Sequence, residues 1–391
     1  MSGVAALLVV ALLGWSIGGG GRSERSSSAD DADLPPVTTT VPDPATPAET
    51  EAVVSEISEF VEREQGLSFL QPVDVELLGE GAFQDRLLAD FDEDVDELRQ
   101  AEHLYTALGL VEPEVDLVES MRALLGAGVV GFYDPETGEL VVRGASVTPY
   151  VRTTIAHELT HALDDQHHDL DRPEYDESPD EIAFGFSAVV EGNARRIESA
   201  YRDTLSPEEQ ESAATEELML GAGIDIGDVP LVLLEVMGAP YLLGQNLVDD
   251  LIAEGGDAQL AAGFAEPPRT SEQVIDPEAF IDGEGAIDVP HPQPSGQLVD
   301  EGVIGQFMID LVLRPEIGRD AAQDAADGWG GDWAAVWADA TRSCVTFTVV
   351  GDDVDETEEL AQAFDAWASD RDGVTITPSG GGPLTVESCA G

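Results

Sequence analysis

Residues 153–166, TTIAHELTHALDDQ, limit what this chain can fold into more than any other stretch. His157 and His161 are four residues apart, so a helix places them on one face, about 40° apart in projection and one turn apart in height. Two imidazoles so placed can aim ring nitrogens at a single ion, whose third protein ligand has to come from elsewhere in the chain. The fold must therefore press a second element against this helix. Glu158 is rotated about 100° from His157, toward the side where a metal-bound water would sit. The chain holds 6 histidines, and residue frequencies alone give such an HExxH match an expectation on the order of one in a hundred.

The pattern predicts helices over 151–166 and 179–203. The second has a marked start in SPDE, with Ser178 as N-cap, Pro179 at the first helical position and Glu181 closing a capping box. That assigns Asp180 and Glu181 to the helix N-terminus, where the dipole favours negative charge. Glu191, within FGFSAVVEGNA, shares a face with Phe184, Ala188 and Ala194. A carboxylate on an apolar face is costly unless paired or bound to metal, which makes Glu191 the candidate third ligand; the alternative is an i to i+4 pair with Arg195. Gly192 beside it lets two helices approach closely, which accounts for a helix-weakening residue in mid-helix. His167 and His168 follow so soon on the same segment that they read as solvent-facing or loop residues. Asp165, four after His161, is a candidate to orient an imidazole through its far nitrogen, or else a helix-face ion pair or cap.

Elsewhere, residues 48–65 space Val53, Ile57, Phe60 and Val61 on one helical face and stop at Gly66. PVDVELLG alternates as a short strand, and residues 83–126 read as helices broken at Gly109 and Pro113. Residues 128–144 are a hairpin turning at Asp134, Pro135 and Gly138. Its second strand, Glu139 to Arg143, offers an edge on which an extended peptide could add, or is simply a core strand. More helices are expected between 207 and 265, then a Pro-rich stretch to about 298. From DWAAVW to LTVESC the tail reads strand, strand, helix, strand, strand, a small α/β module over 326–391.

The 80 acidic residues face 17 basic ones, all arginine, for a net charge of −63. Such a chain repels itself and is held compact more easily where salt screens the charge, so a salt-adapted source is expected. No stretch gathers enough arginine to neutralise phosphates, which argues against nucleic acid as a partner. Residues 1–21 are uncharged and apolar and read as a signal peptide or membrane anchor, giving a membrane contact through the N-terminal segment. Arg22 and Arg25 just after it argue for a cytoplasmic C-terminal side. Two features favour export instead. Residues 22–50, rich in Ser, Thr, Pro and Asp, read as a disordered tether, and Cys344 and Cys389 would close a loop worth roughly 4 kcal/mol if paired. Two reduced, buried thiols are the alternative.

HELTHALDDQ followed by EGNA resembles the zincin metallopeptidases of the gluzincin type. The closer likeness is to exported prokaryotic proteins with an HELTHALxDQ helix, a preceding YDPxTGEL hairpin and a later PPxxxEQV segment, here PPRTSEQVIDPEAF from Pro267. The resemblance spans roughly residues 55–290 and is most specific at the metal helix. It implies an α+β fold, a mainly helical zincin-like metallopeptidase domain over 51–325 with a small sheet, followed by the C-terminal module. It further implies His157, His161 and Glu191 as Zn2+ ligands, Glu158 as the base, and peptide or protein substrates hydrolysed outside the cytoplasm. One departure is Arg195, which stands where thermolysin-like members carry an acidic residue supporting a zinc-bound histidine. Tyr201, Tyr241 and His291 are all candidates for stabilising the oxyanion, and nothing in the sequence ranks them. The competing reading is an inactive, zinc-stabilised binding module of the cell envelope; retention of Glu158 argues against it, because a purely structural site has no need of that carboxylate.

Overall fold

The computed structural model describes residues 7–10, 45–89, 91–93, 95–222, 229–377 and 382–391. Strands β1 (Leu7–Val10), β2 (Val75–Leu78), β3 (Val129–Asp134) and β4 (Glu139–Arg143) form a sheet in the order β1-β3-β4-β2. Helices α1 (Pro47–Gln65), α2 (Glu80–Leu87), α3 (Val95–Leu108) and α4 (Leu117–Gly128) precede the hairpin. It is followed by α5 (Pro149–His168), α6 (Pro173–Asp176), α7 (Ile182–Thr204), α8 (Pro207–Ala222), α9 (Leu231–Gly255) and α10 (Asp257–Ala265), then by the short α11 (Ser271–Ile275) and α12 (Pro277–Asp282). The rest is β5 (Gln297–Gly302), α13 (Gly305–Ile317), α14 (Arg319–Asp327), β6 (Trp329–Ala338), β7 (Ser343–Gly351), α15 (Val354–Ala368), β8 (Val374–Thr377) and β9 (Leu384–Ala390). The fold is α+β and mainly helical, with two sheets, as expected.

Local chemistry sets several boundaries. Thr46 caps α1 in a reciprocal box with Glu49, and Gly66 ends it at φ 67°, a left-handed turn that glycine adopts without strain. Residues 47–50, expected in the tether, are thus helical. The remainder of residues 1–44, apart from β1, on which the leader and tether readings fall, lies outside the described residues. In the hairpin, the Asp134 carboxylate accepts from the Glu136 and Thr137 amides and from Thr137 Oγ1.

Distant segments decide one open alternative and overturn one expectation. Strand β4 is not an edge: β3 pairs with it on one side and β2, from 62 residues upstream counting Leu78 to Leu140, lies parallel on the other. The capping box at Ser178 does not form either. The Ser178 hydroxyl donates to Asp180, α7 starts only at Ile182, and the Glu181 carboxylate accepts from the backbone and hydroxyl of Ser271 instead.

Helix α5 is buried on almost every side from Tyr150 to Asp164, surrounded by α1, α7, α8, β3 and β4. A helix enclosed this way is the centre of its layer and can hold polar side chains away from water. Helix α7 packs on it from one side and on α9 from the other. A Cβ on Gly192 would lie 2.1 Å from the Gly244 carbonyl oxygen, and one on Gly244 would lie 2.0 Å from that of Ala188. The backbones of α7 and α9 therefore touch at Gly192, as the mid-helix glycine suggested. Among the described residues α9 is long and apolar enough to cross a bilayer; here its Leu247, Val248 and Leu251 cluster with Val189 and Val190 of α7.

The C-terminal sheet is antiparallel, in the order β5-β6-β7-β9-β8, and β6, β7, α15, β8, β9 follow the expected sequence of elements. It reaches back to Gln297, upstream of 326. Trp329, Phe347, Phe364 and Trp367 fill its core together with Ala107 and Leu108 of α3. Cys344 and Cys389 are direct partners on β7 and β9 and are joined by a disulfide.

The α7–α9 contact makes a direct prediction. Gly192→Ala should destabilise the protein by at least about 2 kcal/mol through overpacking. Gly126→Ala in α4, where an added Cβ meets nothing within 4 Å, should be neutral or stabilise by less than about 1 kcal/mol. Thermal unfolding of the two variants beside wild type checks both.

Candidate metal centre

His157, Glu158 and His161 project from the middle of α5 and are fully buried, while Glu191 comes from the middle of α7 and is 4% exposed. Helix α7 packs on α5 so that Glu191 faces both imidazoles, while the close backbone approach at Gly192 is to α9 on its other side. Glu191 Oε2 lies 3.1 Å from His157 Nε2 and 3.5 Å from His161 Nε2. One ligand atom from each of the three residues falls within 4.8 Å of the others. For ligands about 2.0–2.2 Å from a tetrahedral ion, donor atoms are separated by roughly 3.3 Å, so this His-His-Glu group could hold a metal ion. The donor chemistry agrees: both nitrogens of His161 are buried without a well-formed hydrogen bond, and an orphaned buried imidazole is costly unless something else satisfies it.

Glu198, one more α7 residue on the same face, is the partner that the sequence reading missed. Its Oε2 lies 3.2 Å from His157 Nδ1 and accepts from Arg195 Nη1 at 2.7 Å, while Arg202 reaches its Oε1 at 3.4 Å. The acidic support for a histidine therefore stands seven residues after Glu191, two turns along and about 20° off in projection, and Arg195 balances that carboxylate. Of the two readings of Asp165, the imidazole contact does not form: the carboxylate accepts from Tyr133 Oη at 2.7 Å and, at the helix end, from the Leu170 amide at 2.9 Å, tying the hairpin to the end of α5.

Tyr241 of α9 completes the group. Its hydroxyl donates to Glu191 Oε1 at 2.9 Å, and its ring stacks at 6.3 Å from that of His157. The other two candidates lie elsewhere: the Tyr201 hydroxyl accepts from Arg152 Nε, and His291 stacks on Trp333. His167 faces the Ser68 carbonyl and His168 stacks on Phe264, so neither joins the centre.

Burial by itself pushes His157 toward neutrality, but hydrogen bonds and charges from Glu191 and Glu198 outweigh it and raise its pKa to about 9. Burial would raise Glu191 and Glu198, yet His161 and His157 hold the first down at about 2 and Arg195 and His157 hold the second there. His161 is shifted downward by burial. Tyr241 is raised well above its ordinary range by burial and by Glu191, so its hydroxyl keeps its proton and remains a donor. A second buried network fixes α5 against its neighbours, with Asp164 accepting from Gln65 of α1 at 3.0 Å and from Asn193 of α7 at 2.8 Å.

Glu158 lies under β3. A Cβ on Gly131 would come within 2.8 Å of Glu158 Oε1 and 2.7 Å of Thr154 Cγ2, so only glycine lets the strand run this close to the carboxylate. Comparison with family models, curated proteins and solved structures gives no match.

If the three residues bind metal, Glu198→Gln should weaken that binding by roughly 10–100-fold, because the imidazole loses the partner that orients it. Glu191→Gln should weaken it further. Titration with zinc against a competing chelator measures both, and equal affinity in wild type and Glu198→Gln would remove Glu198 from the centre.

Proposed function

We propose that the protein is a zinc-dependent peptidase of the zincin type that acts outside the cytoplasm. The observation that carries this reading is the convergence of His157, His161 and Glu191 next to Glu158, a carboxylate on the metal helix that is not one of the three. Zinc held there would acidify a bound water and polarise the substrate carbonyl. Glu158 would take the proton from the attacking water and return it to the leaving amine. Tyr241, a protonated donor brought to the centre by α9, is the group best placed to turn toward the oxygen on which negative charge develops. The Cys344–Cys389 disulfide supports the location, since such bonds persist in oxidising compartments.

The competing reading, a zinc-stabilised binding module, draws on one observation: both imidazoles and Glu158 are fully buried. Val9 of β1 is the register partner of Gly131, the strand position that abuts Glu158. A peptide that approaches Glu158 along β3 has to take the place of β1.

Glu158→Gln separates the two readings. A peptidase keeps its zinc and loses cleavage by roughly 10²–10⁴-fold, whereas a binding module has no cleavage to lose and keeps its partner. Tyr241→Phe should lower kcat by on the order of 10²-fold with little change in KM; a variant as fast as wild type would remove Tyr241 from the reaction.

A further inference from the structure

The segment PPRTSEQV and the residues before α7 meet at a junction that the metal chemistry does not use. Helix α7, which carries Glu191 and Glu198, begins where three other parts of the chain converge. The Pro268 carbonyl lies against Gly185, where an added Cβ would be 2.1 Å from it. The Glu181 amide donates to the Arg269 carbonyl at 3.2 Å, and the Val303 amide donates to the Pro179 carbonyl at 2.8 Å. Two carboxyl groups sit at the centre. Glu181 Oε2 accepts from the Ser271 amide at 2.7 Å and from its hydroxyl at 3.0 Å, and that hydroxyl in turn accepts from the Phe307 amide. Asp332 of β6 accepts from the Ile304 and Gly305 amides and from Trp329 Nε1, all at 2.8–2.9 Å.

Both carboxyls press on Gly305. One bonds its amide, and the other occupies the position of a Cβ, 2.1–2.3 Å from where that atom would be. With φ at 82°, Gly305 takes a backbone conformation that favours glycine. The remaining charges facing Glu181 are Asp180 on its own segment and Arg269 before α11, and those two pair with each other at 2.7 Å. Helix α13 contributes backbone amides there. Among the described residues, no arginine is bonded to the half-buried Glu181 carboxyl or to the buried Asp332 carboxyl.

We propose that Glu181 and Asp332 form a proton-dependent lock that holds the start of α7 against α13 and β6, so that the C-terminal layer positions the helix bearing Glu191. With one proton or more, the pair fits around Gly305 at low cost; with none, two like charges, Asp332 buried and Glu181 half-buried, meet across it. Burial raises Glu181 to about 8 and Asp332 to about 6, against the hydrogen bonds from Ser271 and from Ile304 and Gly305 that lower them. Both groups bind protons more tightly folded than unfolded. Their contribution to stability is therefore full below the unfolded values and is lost as pH rises through about 6 and then about 8.

The test uses the full-length protein in high salt and reads no catalysis; its thermal and hydrogen-exchange arms need no bound zinc and stand or fall apart from the peptidase reading, while the zinc-transfer arm rests on it. Thermal midpoints are measured between about pH 5.5 and pH 9. Glutamine imitates the protonated acid, so the midpoint of Glu181→Gln relative to wild type should climb by several degrees across this range, with Asp332→Asn climbing at the lower end. Zinc transfer to a chelator should accelerate toward alkaline pH in wild type more than in Glu181→Gln. Parallel midpoint curves for wild type and both variants would overturn the lock. In wild type alone, hydrogen exchange of residues 302–307, corrected for the intrinsic pH dependence, should quicken between about pH 6 and pH 9; unchanged protection would overturn it even if neither variant folds.

Discussion

The buried approach of Glu191 to His157 and His161 is the interaction around which the rest of the protein is arranged. A carboxylate and two imidazoles removed from water are costly unless each finds a partner, and the surrounding helices supply the partners. Glu198 takes the far nitrogen of His157, Arg195 and Arg202 balance Glu198, and Tyr241 satisfies the second oxygen of Glu191. His161 is the member left with unsatisfied nitrogens, and a bound cation would complete that account.

Placing these groups requires helices closer than side chains ordinarily allow. Glycine provides the approach twice, at the Gly192–Gly244 crossing that brings α9 and Tyr241 onto α7, and at Gly131, which lets β3 run over Glu158. The Asp164, Gln65 and Asn193 network then fixes the rotation of α5 relative to α1 and α7. At the start of α7, the Glu181 carboxyl lies against Gly305, whose amide donates to Asp332 of the disulfide-linked C-terminal layer.

What could be read from the sequence follows from which contacts are local. His157, Glu158 and His161 declare themselves by helical spacing, Glu191 by its apolar face and Gly192 by its place in mid-helix. The order of strands and helix from Trp329 onward was also legible, because alternation and periodicity differ sharply there. Glu198 was not, since it stands in the charged run ARRIESAYRD and only its seven-residue offset from Glu191 marks it. Tyr241 could not be ranked above Tyr201 and His291 without knowing that α9 crosses α7 at Gly244. SPDE matches a capping box residue for residue, yet Ser271, 90 residues downstream of Glu181, takes the carboxylate. Whether β4 was an edge or a core strand stayed open because nothing local announces a parallel strand from β2.

The central claim is that the His-His-Glu group and Glu158 together make a hydrolytic centre. It is tested most directly by incubating the zinc-loaded wild-type chain with a mixed peptide library in high salt and following new termini by mass spectrometry. The account predicts cleavage that a zinc chelator abolishes and stoichiometric zinc restores. A chain with its zinc site fully occupied that leaves the library intact would contradict it.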